Sequence, residues 1–562
     1  MAPLSAPAVA APRPFLPGRA TFLLFLVLLS SANVLAAEPA AASSAAGARL
    51  YRQGVLPNGE ALRGERTGGV ILTGAAVACF NCHRRSGLGT TEGQIIIPPV
   101  TGKYLFRTAE KNVKDLSLPH VTGYRAQRSP YNDQTLARAI REGLDADGRP
   151  LNYLMPRFRI DDAAMASLIA YLRELTSAPV PGVTDDTLHF ATIITPDADP
   201  VARRGMLDVL ERFFADKNEF QRGGARTIQP SATNTRAITY RVTRRWQLHV
   251  WELSGPPADW GRQLHARLEA EPVYAVISGL GGKTWEPVHR FCEQAALPCL
   301  FPNVDLPVDA EQDFYSLYFS KGVLLEAQLI AHDLQGRAPE ARPARVIQIY
   351  RPDDIGAAAA RALQNDPALH GLKIEARVLP TGSSAANVGA ALRDLRPEDE
   401  LVLWLRSTDL AALPARLPPI AHVLASGLLA NLENAPLPAE WRPVTRLAYP
   451  FDPPNLRMVR MNYPLGWFKV RHIPVVAERV QADTYLACGV LAETLNEMLD
   501  SFVRDYLIER IEVMLSHRLI TGYYPRQGLA PGQRFASKGG YLVHFAEPQG
   551  SKLVIDGEWI VP

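Results

Sequence analysis

The chain has 562 residues, 47% apolar and 21% charged, with 60 lysines and arginines against 57 acids and a net charge of +3. That length allows roughly three or four domain-sized units. The balance is that of a soluble globular protein, and no basic run marks a nucleic-acid binder.

At the N-terminus, Arg13 and Arg19 precede "ATFLLFLVLLSSANVLA", and Val34-Leu35-Ala36 fits a small-residue cleavage site. Residues 1–36 therefore read as a secretory signal peptide. Its strongly apolar stretch, 22–29, is shorter than the ~20 residues a membrane span needs, and no later segment is apolar for long enough. The expectation is a soluble protein exported to the periplasm, an oxidising compartment.

Next comes "ACFNCHRRSGLG" (78–89), two close cysteines followed at once by His83. Such a pair serves a redox disulfide, half of a zinc site, or covalent haem attachment. Structural zinc needs about four ligands, and there is no second close cysteine pair. A thioredoxin-type pair sits between a strand and a helix, whereas glycines flank this one. Haem accounts for the histidine: Cys79 and Cys82 add to the vinyl groups and His83 reaches the iron. A sixth ligand is then expected downstream. In "LNYLMPRFRIDDAAMASLIAYLREL" (151–175), Met155 precedes Pro156, and Asp161 or Asp162 caps a helix with Met165, Leu168, Ile169 and Leu172 at helical spacing. Met155 is the expected ligand, soft and neutral; its plainer reading is a core methionine. Met165 is placed for the core, and His120 is the rival ligand.

From about Ala45 to Leu175 the sequence resembles a class I c-type cytochrome, through "GARLYRQG", "CFNCH", "IIIPPVTG", "LMP" and "LIAYLREL". The resemblance implies an all-α domain over 45–175 with one covalent haem c. It also implies packing of Gly47 on Tyr171, and a carbonyl of Pro98 or Pro99 holding His83. One departure is residues 55–74, an insertion before the haem motif. Arg84, Arg85, Lys103, Arg107, Lys111, Lys114, Arg125 and Arg128 form either a solvated surface or a basic face for an acidic redox partner.

"TSAPVPGVTDDT" (176–187) reads as a linker. Beyond it, short apolar runs alternate with amphipathic ones: "HFATIIT" (189–195), "VYAVIS" (273–278), "LPCLFP" (297–302), "RVIQIY" (345–350), "ELVLWL" (400–405) and "HVLASG" (422–427), with helical stretches at 205–218, 260–270 and 356–366. The alternation predicts parallel sheets covered by helices, and the length predicts two lobes over 188–562. This part resembles a type I periplasmic binding protein of the Leu/Ile/Val-binding family. The resemblance rests on "TPDADP" after the first strand, the turn "SGLGG" (278–282), and "YSLYFSKGVLLEAQLIAHDL" as the helix crossing to the second lobe. No GxSxG, HExxH or Walker loop is present. Thr195, Asp197, Ser278 and Gly279 lie at expected carboxyl ends of strands, where open α/β sheets bind ligands; the same positions also serve as helix caps and turns. Cys292 and Cys299 bracket a helix end and a strand start. They are the expected disulfide, worth roughly 2–3 kcal/mol, the alternative being two buried thiols. Cys488 reads as a small core residue.

The sequence thus reads as an all-α cytochrome c domain followed by a two-lobed α/β domain. Its expected role is electron transfer through one covalent haem to a periplasmic redox partner protein. The alternative is a solute-binding or sensor protein in which the haem domain is accessory and a small molecule is the partner. Either points to a carrier or binding protein rather than a catalyst; peroxidase chemistry would require Met155 to dissociate.

Overall fold

The computed structural model describes residues 43–92, 95–106, 128–221, 226–228, 238–240, 244–382, 385–498, 501–515 and 521–562. The expected signal segment and His120 lie outside these residues. No helix among them is long and apolar enough to cross a membrane.

The N-terminal part runs α1 (Ser44–Gln53), β1 (Arg63–Arg66), β2 (Val70–Thr73), α2 (Phe80–His83), β3 (Thr90–Glu92), β4 (Ile95–Ile97), α3 (Gly102–Leu105), α4 (Asp133–Glu142), β5 (Arg157–Arg159) and α5 (Asp162–Glu174). Ser43 caps α1 by accepting from the Ala46 N–H, and Gly54 ends it in the left-handed conformation. Asp161 caps α5 at the Ala164 N–H. The two helices cross closely at Gly47, where a Cβ would run into the Ser167 carbonyl and the Tyr171 Cβ. Leu50, Tyr51, Met165, Leu168, Ile169 and Leu172 form the buried core there.

This part is not all-α, contrary to the expectation. Residues 55–74 fold back through Gly68 and Gly69, both at positive φ, into an antiparallel β1–β2 hairpin. β5 joins it as a third strand, and β3 pairs with β4. The insertion carries its own turn chemistry (Thr-Gly-Gly before a branched run), so it forms a sheet on the helical core.

The larger part contains β6 (Thr187–Ile194), α6 (Pro200–Gln221), β7 (Arg226–Ile228), β8 (Ile238–Tyr240), β9 (Arg245–Glu252), α7 (Trp260–Ala270), β10 (Ala275–Ile277), α8 (Glu286–Gln294), β11 (Cys299–Leu300), β12 (Ser316–Leu317) and α9 (Val323–Gly336). It continues with β13 (Arg345–Tyr350), α10 (Gly356–Gln364), β14 (Ile374–Val378), α11 (Ala385–Ala391), β15 (Asp399–Trp404), α12 (Ser407–Leu410), β16 (His422–Ser426), β17 (Thr445–Tyr449), α13 (Pro454–Val470), α14 (Glu478–Met498), α15 (Arg504–Leu515), β18 (Gly540–Phe545) and β19 (Leu553–Ile560). The first lobe is built on a parallel sheet ordered β12-β11-β10-β6-β9. The second is built on β14-β13-β15-β16-β17-β18-β19, parallel through β17 and antiparallel at its last two strands. Central strands β10 and β15 are buried along their whole length, as parallel strands covered on both faces must be.

The chain crosses between lobes three times within the described residues. It first enters α9, which packs on β16, β17 and β18. It returns through α13 into α14, which lies on α6. Last it passes through residues 521–539 into β18. The first and last crossings run side by side: Tyr318 N–H donates to Arg534 O at 2.9 Å and Ala536 N–H to Tyr318 O at 2.9 Å.

Residues 176–187 are packed rather than free. A Cβ on Gly182 would run into the backbone of Val273 and Tyr274, and Arg504 donates to Val273 O at 2.6 Å and to Pro181 O at 3.4 Å. The expected disulfide is absent: Cys292 and Cys299 are both fully buried thiols. They sit in the apolar cluster of Val288, Phe291 and Leu297, where burial and the neighbouring Cys299 push the Cys292 thiol well up. They act as small core residues. Cys488 is likewise buried, inside α14.

Candidate functional sites

The haem-type motif occupies a single helical turn. Cys82 and His83 N–H groups both point at Cys79 O, at 3.3 and 2.9 Å, and Arg84 ends the turn at positive φ. Positions i, i+3 and i+4 share one helix face, so both sulfurs and the imidazole emerge together. His83 is buried, with Nδ1 2.9 Å from Pro98 O. A carbonyl only accepts, so Nδ1 carries the proton and Nε2 keeps its lone pair. Burial holds this imidazole below its usual range, with the Pro98 bond pulling the other way. Of the two candidate prolines, Pro98 is the one in contact. Met155 is half-buried on the same apolar cluster as Cys79. Its backbone is pinned by its N–H to Asn152 O at 3.1 Å and by Arg157 donating to its carbonyl at 2.5 Å. Met165 points into the core.

The three residues after His83 reach the first lobe. Arg84 pairs with Glu512, which also holds Arg534 at 2.5 Å. Arg85 meets Asp505 at 3.2 Å and lies over the Phe314 ring at 4.5 Å. Ser86 donates through N–H and Oγ–H to Glu509, at 2.9 and 2.6 Å. Arg128 stacks on Tyr131 at 4.1 Å. Arg84, Arg85 and Arg128 are thus engaged within the fold, which removes them from the expected basic face. Arg107, Lys111, Lys114 and Arg125 lie outside the described residues.

The second candidate site lies where the carboxyl ends of both sheets face each other. Ser278 Oγ is 2.8 Å from Thr484 Oγ1 and accepts from Asn303 Nδ2 at 2.9 Å. Thr195 donates to Asp197 at 2.6 Å, and the N–H groups of Gly282 and Lys283 donate to Thr195 and Asp197, at 3.1 and 2.7 Å. The glycine-rich turn therefore aims these two N–H groups at its own lobe. Gly279 makes room for the Trp285 ring, which a Cβ would meet at 2.5 Å.

Sequence reasoning missed the charged residues around them. Arg479 binds Asp305 at 2.8 Å; on the second lobe Arg406 grips Asp354 at 2.7 and 2.8 Å. Glu326, fully buried, is held by Ser426 and accepts the Leu428 N–H at 2.8 Å. Burial pushes Glu326 up to about 8 and Asp483 up to about 7, with Arg479 opposing the latter shift. Asp483 Oδ1, Asn303 Oδ1 and Thr521 Oγ1 are buried with no hydrogen-bond partner among the described residues. The available signal was a carboxylate at a buried position inside apolar helical runs, "VLLEAQLI" and "QADTYLACGV".

No family model matches the chain, and no curated protein matches it. Among solved structures it is similar to a branched chain amino acid ABC transporter protein from Thermus thermophilus with bound valine (12% identity, 68% of this chain and 97% of that one, TM-score 0.47). It is also similar to a leucine binding protein from Thermotoga maritima (12%, 67% and 99%, 0.46). A third is a fatty acid ABC transporter substrate-binding protein from Thermomonospora curvata (16%, 68% and 95%, 0.46).

Proposed function

We propose that the chain is a periplasmic protein in which a haem-bearing electron-transfer part is built onto a two-lobed solute-binding part. The observation that carries the haem reading is His83: its Nδ1–H is engaged by Pro98 O, leaving Nε2 for a metal, on the turn that also presents Cys79 and Cys82. Cys79 and Cys82 would hold the haem by thioether bonds, and His83 and Met155 would bind its iron. The group would supply a reversible one-electron store. The chain's own contribution is to fix the imidazole's tautomer and orientation through Pro98, and to anchor the Met155 loop through Asn152 and Arg157. Protein matured with haem should keep it through acidic-acetone extraction and denaturing gels, and Cys79→Ala with Cys82→Ala should lose it. Haem that washes out of the wild type refutes thioether attachment. Met155→Ala should lower the reduction potential; a wild-type bis-histidine spectrum would assign the sixth position to His120 instead.

A second reading makes solute binding the main role and the haem part its accessory. The buried, unpartnered oxygens of Asp483, Asn303 and Thr521 beside the crossings favour it, since such groups are stabilised by a bound polar partner. A panel of amino acids, small acids, alcohols and amides, screened by thermal shift on the full chain, should yield a ligand whose shift Asp483→Asn removes. If nothing in such a panel shifts the wild type, the binding role falls.

A further inference from the structure

Helix α13 turns two different faces to its surroundings. Arg457, Met461, Pro464 and Phe468 are buried against the fold. Outward stand Leu456, Val459, Tyr463, Gly466 and Val470, spaced three, four, three and four residues apart. The four large ones are 49%, 66%, 51% and 69% exposed, and Met458 beside them is 62% exposed. A 3–4 spacing of apolar residues is a coiled-coil seam. Gly466 meets nothing within 4 Å of where a Cβ would stand.

Charge is kept off this face. Arg457 pairs with Glu433 at 2.7 Å, Arg460 with Asp452, and Arg471 with Asp216 at 2.8 Å. Lys469 is the exposed charged residue of the helix. A helix lying on a lipid surface carries its cations on an opposite, solvated face; the opposite face here is core. An acidic or basic protein partner would find no complementary charge.

We infer that the partner is a second copy of this chain, with two α13 helices packed antiparallel about a two-fold axis through Tyr463. That axis sits midway between Leu456 and Val470, so each Leu456 faces the other copy's Val470 and the two tyrosines meet. Gly466, one turn on, leaves room for the second ring. Such a contact is self-complementary, as a two-fold interface must be, and has an aromatic at its centre, where hot spots cluster. Covering the five large side chains removes on the order of 500 Å² per copy, about 1,000 Å² for the pair, which reaches the threshold for a specific interface.

The full chain should sediment as a dimer. Val459→Glu with Tyr463→Glu sets like charges against each other at the interface and should weaken association by about a hundredfold or more, with an unchanged circular dichroism spectrum because both sites are exposed in the single chain. Tyr463→Cys should form a disulfide-linked dimer on mild oxidation. A wild type that stays monomeric at every attainable concentration overturns the inference. So does a dimer that survives the double glutamate variant without linking at position 463. A monomer that co-sediments with neutral phosphatidylcholine vesicles would overturn it too, and give the face to lipid.

Discussion

In the N-terminal part, two thiols and an imidazole share one helical turn, and Pro98, fifteen residues on, completes the arrangement. Between the lobes, Asp305, Glu326, Asp354, Arg406, and the α14 pair Arg479 and Asp483 come from five separate segments and meet only because two sheets and three crossings bring them together. A local site survives small shifts of its surroundings; an assembled one depends on the relation between lobes. The contrast teaches where each part should be vulnerable, and Glu512, with Asp505 and Glu509 on the same helix, ties the N-terminal part to the first lobe.

The largest effect is expected at that joint. Glu512 is buried between Arg84 and Arg534, and removing one member of a buried charge group leaves the others uncompensated. Glu512→Ala should therefore destabilise the chain by about 3–5 kcal/mol, read by denaturant titration. If the loss is below about 1 kcal/mol, the two parts are joined by something other than this ion group.

The assembled site should also set a pH response of its own. Glu326 has its pKa raised by burial, from 4.5 to about 8, so the folded state holds its proton more tightly than the unfolded chain does. That stabilisation is complete below the ordinary carboxylate range and is lost as pH rises from about 4.5 through about 8. Melting temperature should fall over that window by the equivalent of at most about 5 kcal/mol. Glu326→Gln can still accept from Leu428 and donate to Ser426, and should flatten the profile; an unaltered slope would move the response elsewhere.

A smaller effect should stay local. Gly47→Ala forces a methyl against the Ser167 carbonyl and should cost about 1–3 kcal/mol. Hydrogen exchange should rise across α1 and α5 and not across β10 or β15. Uniform acceleration would mean that the two parts open as one unit.

These differences in construction also decide what the sequence disclosed. The motif turn, the cap at Asp161 and strands such as β13 and β15 rest on patterns a few residues long, and those patterns are readable directly. The choice of Pro98 over Pro99 was not, because it depends on which carbonyl the chain turns toward the ring. β9 was hidden by its place at a sheet edge, where burial alternates irregularly and no continuous apolar run develops. The β1–β2 hairpin was read as an insertion because its third strand, β5, lies some ninety residues away. Asp483 and Glu326 were passed over because a single acid in an apolar helix reads as a solvated interruption until the opposite lobe is seen to cover it.

The contact made by Arg84, Arg85 and Ser86 bears on how the protein can be dissected. A fragment ending near residue 175 would keep the haem-type turn but uncover two guanidinium groups and a hydroxyl that the intact chain keeps engaged. Any acidic molecule captured by that fragment would be reporting on a cut surface. In the whole molecule those groups face Glu512, Asp505 and Glu509, so docking and rate measurements are informative only when the lobes are left attached.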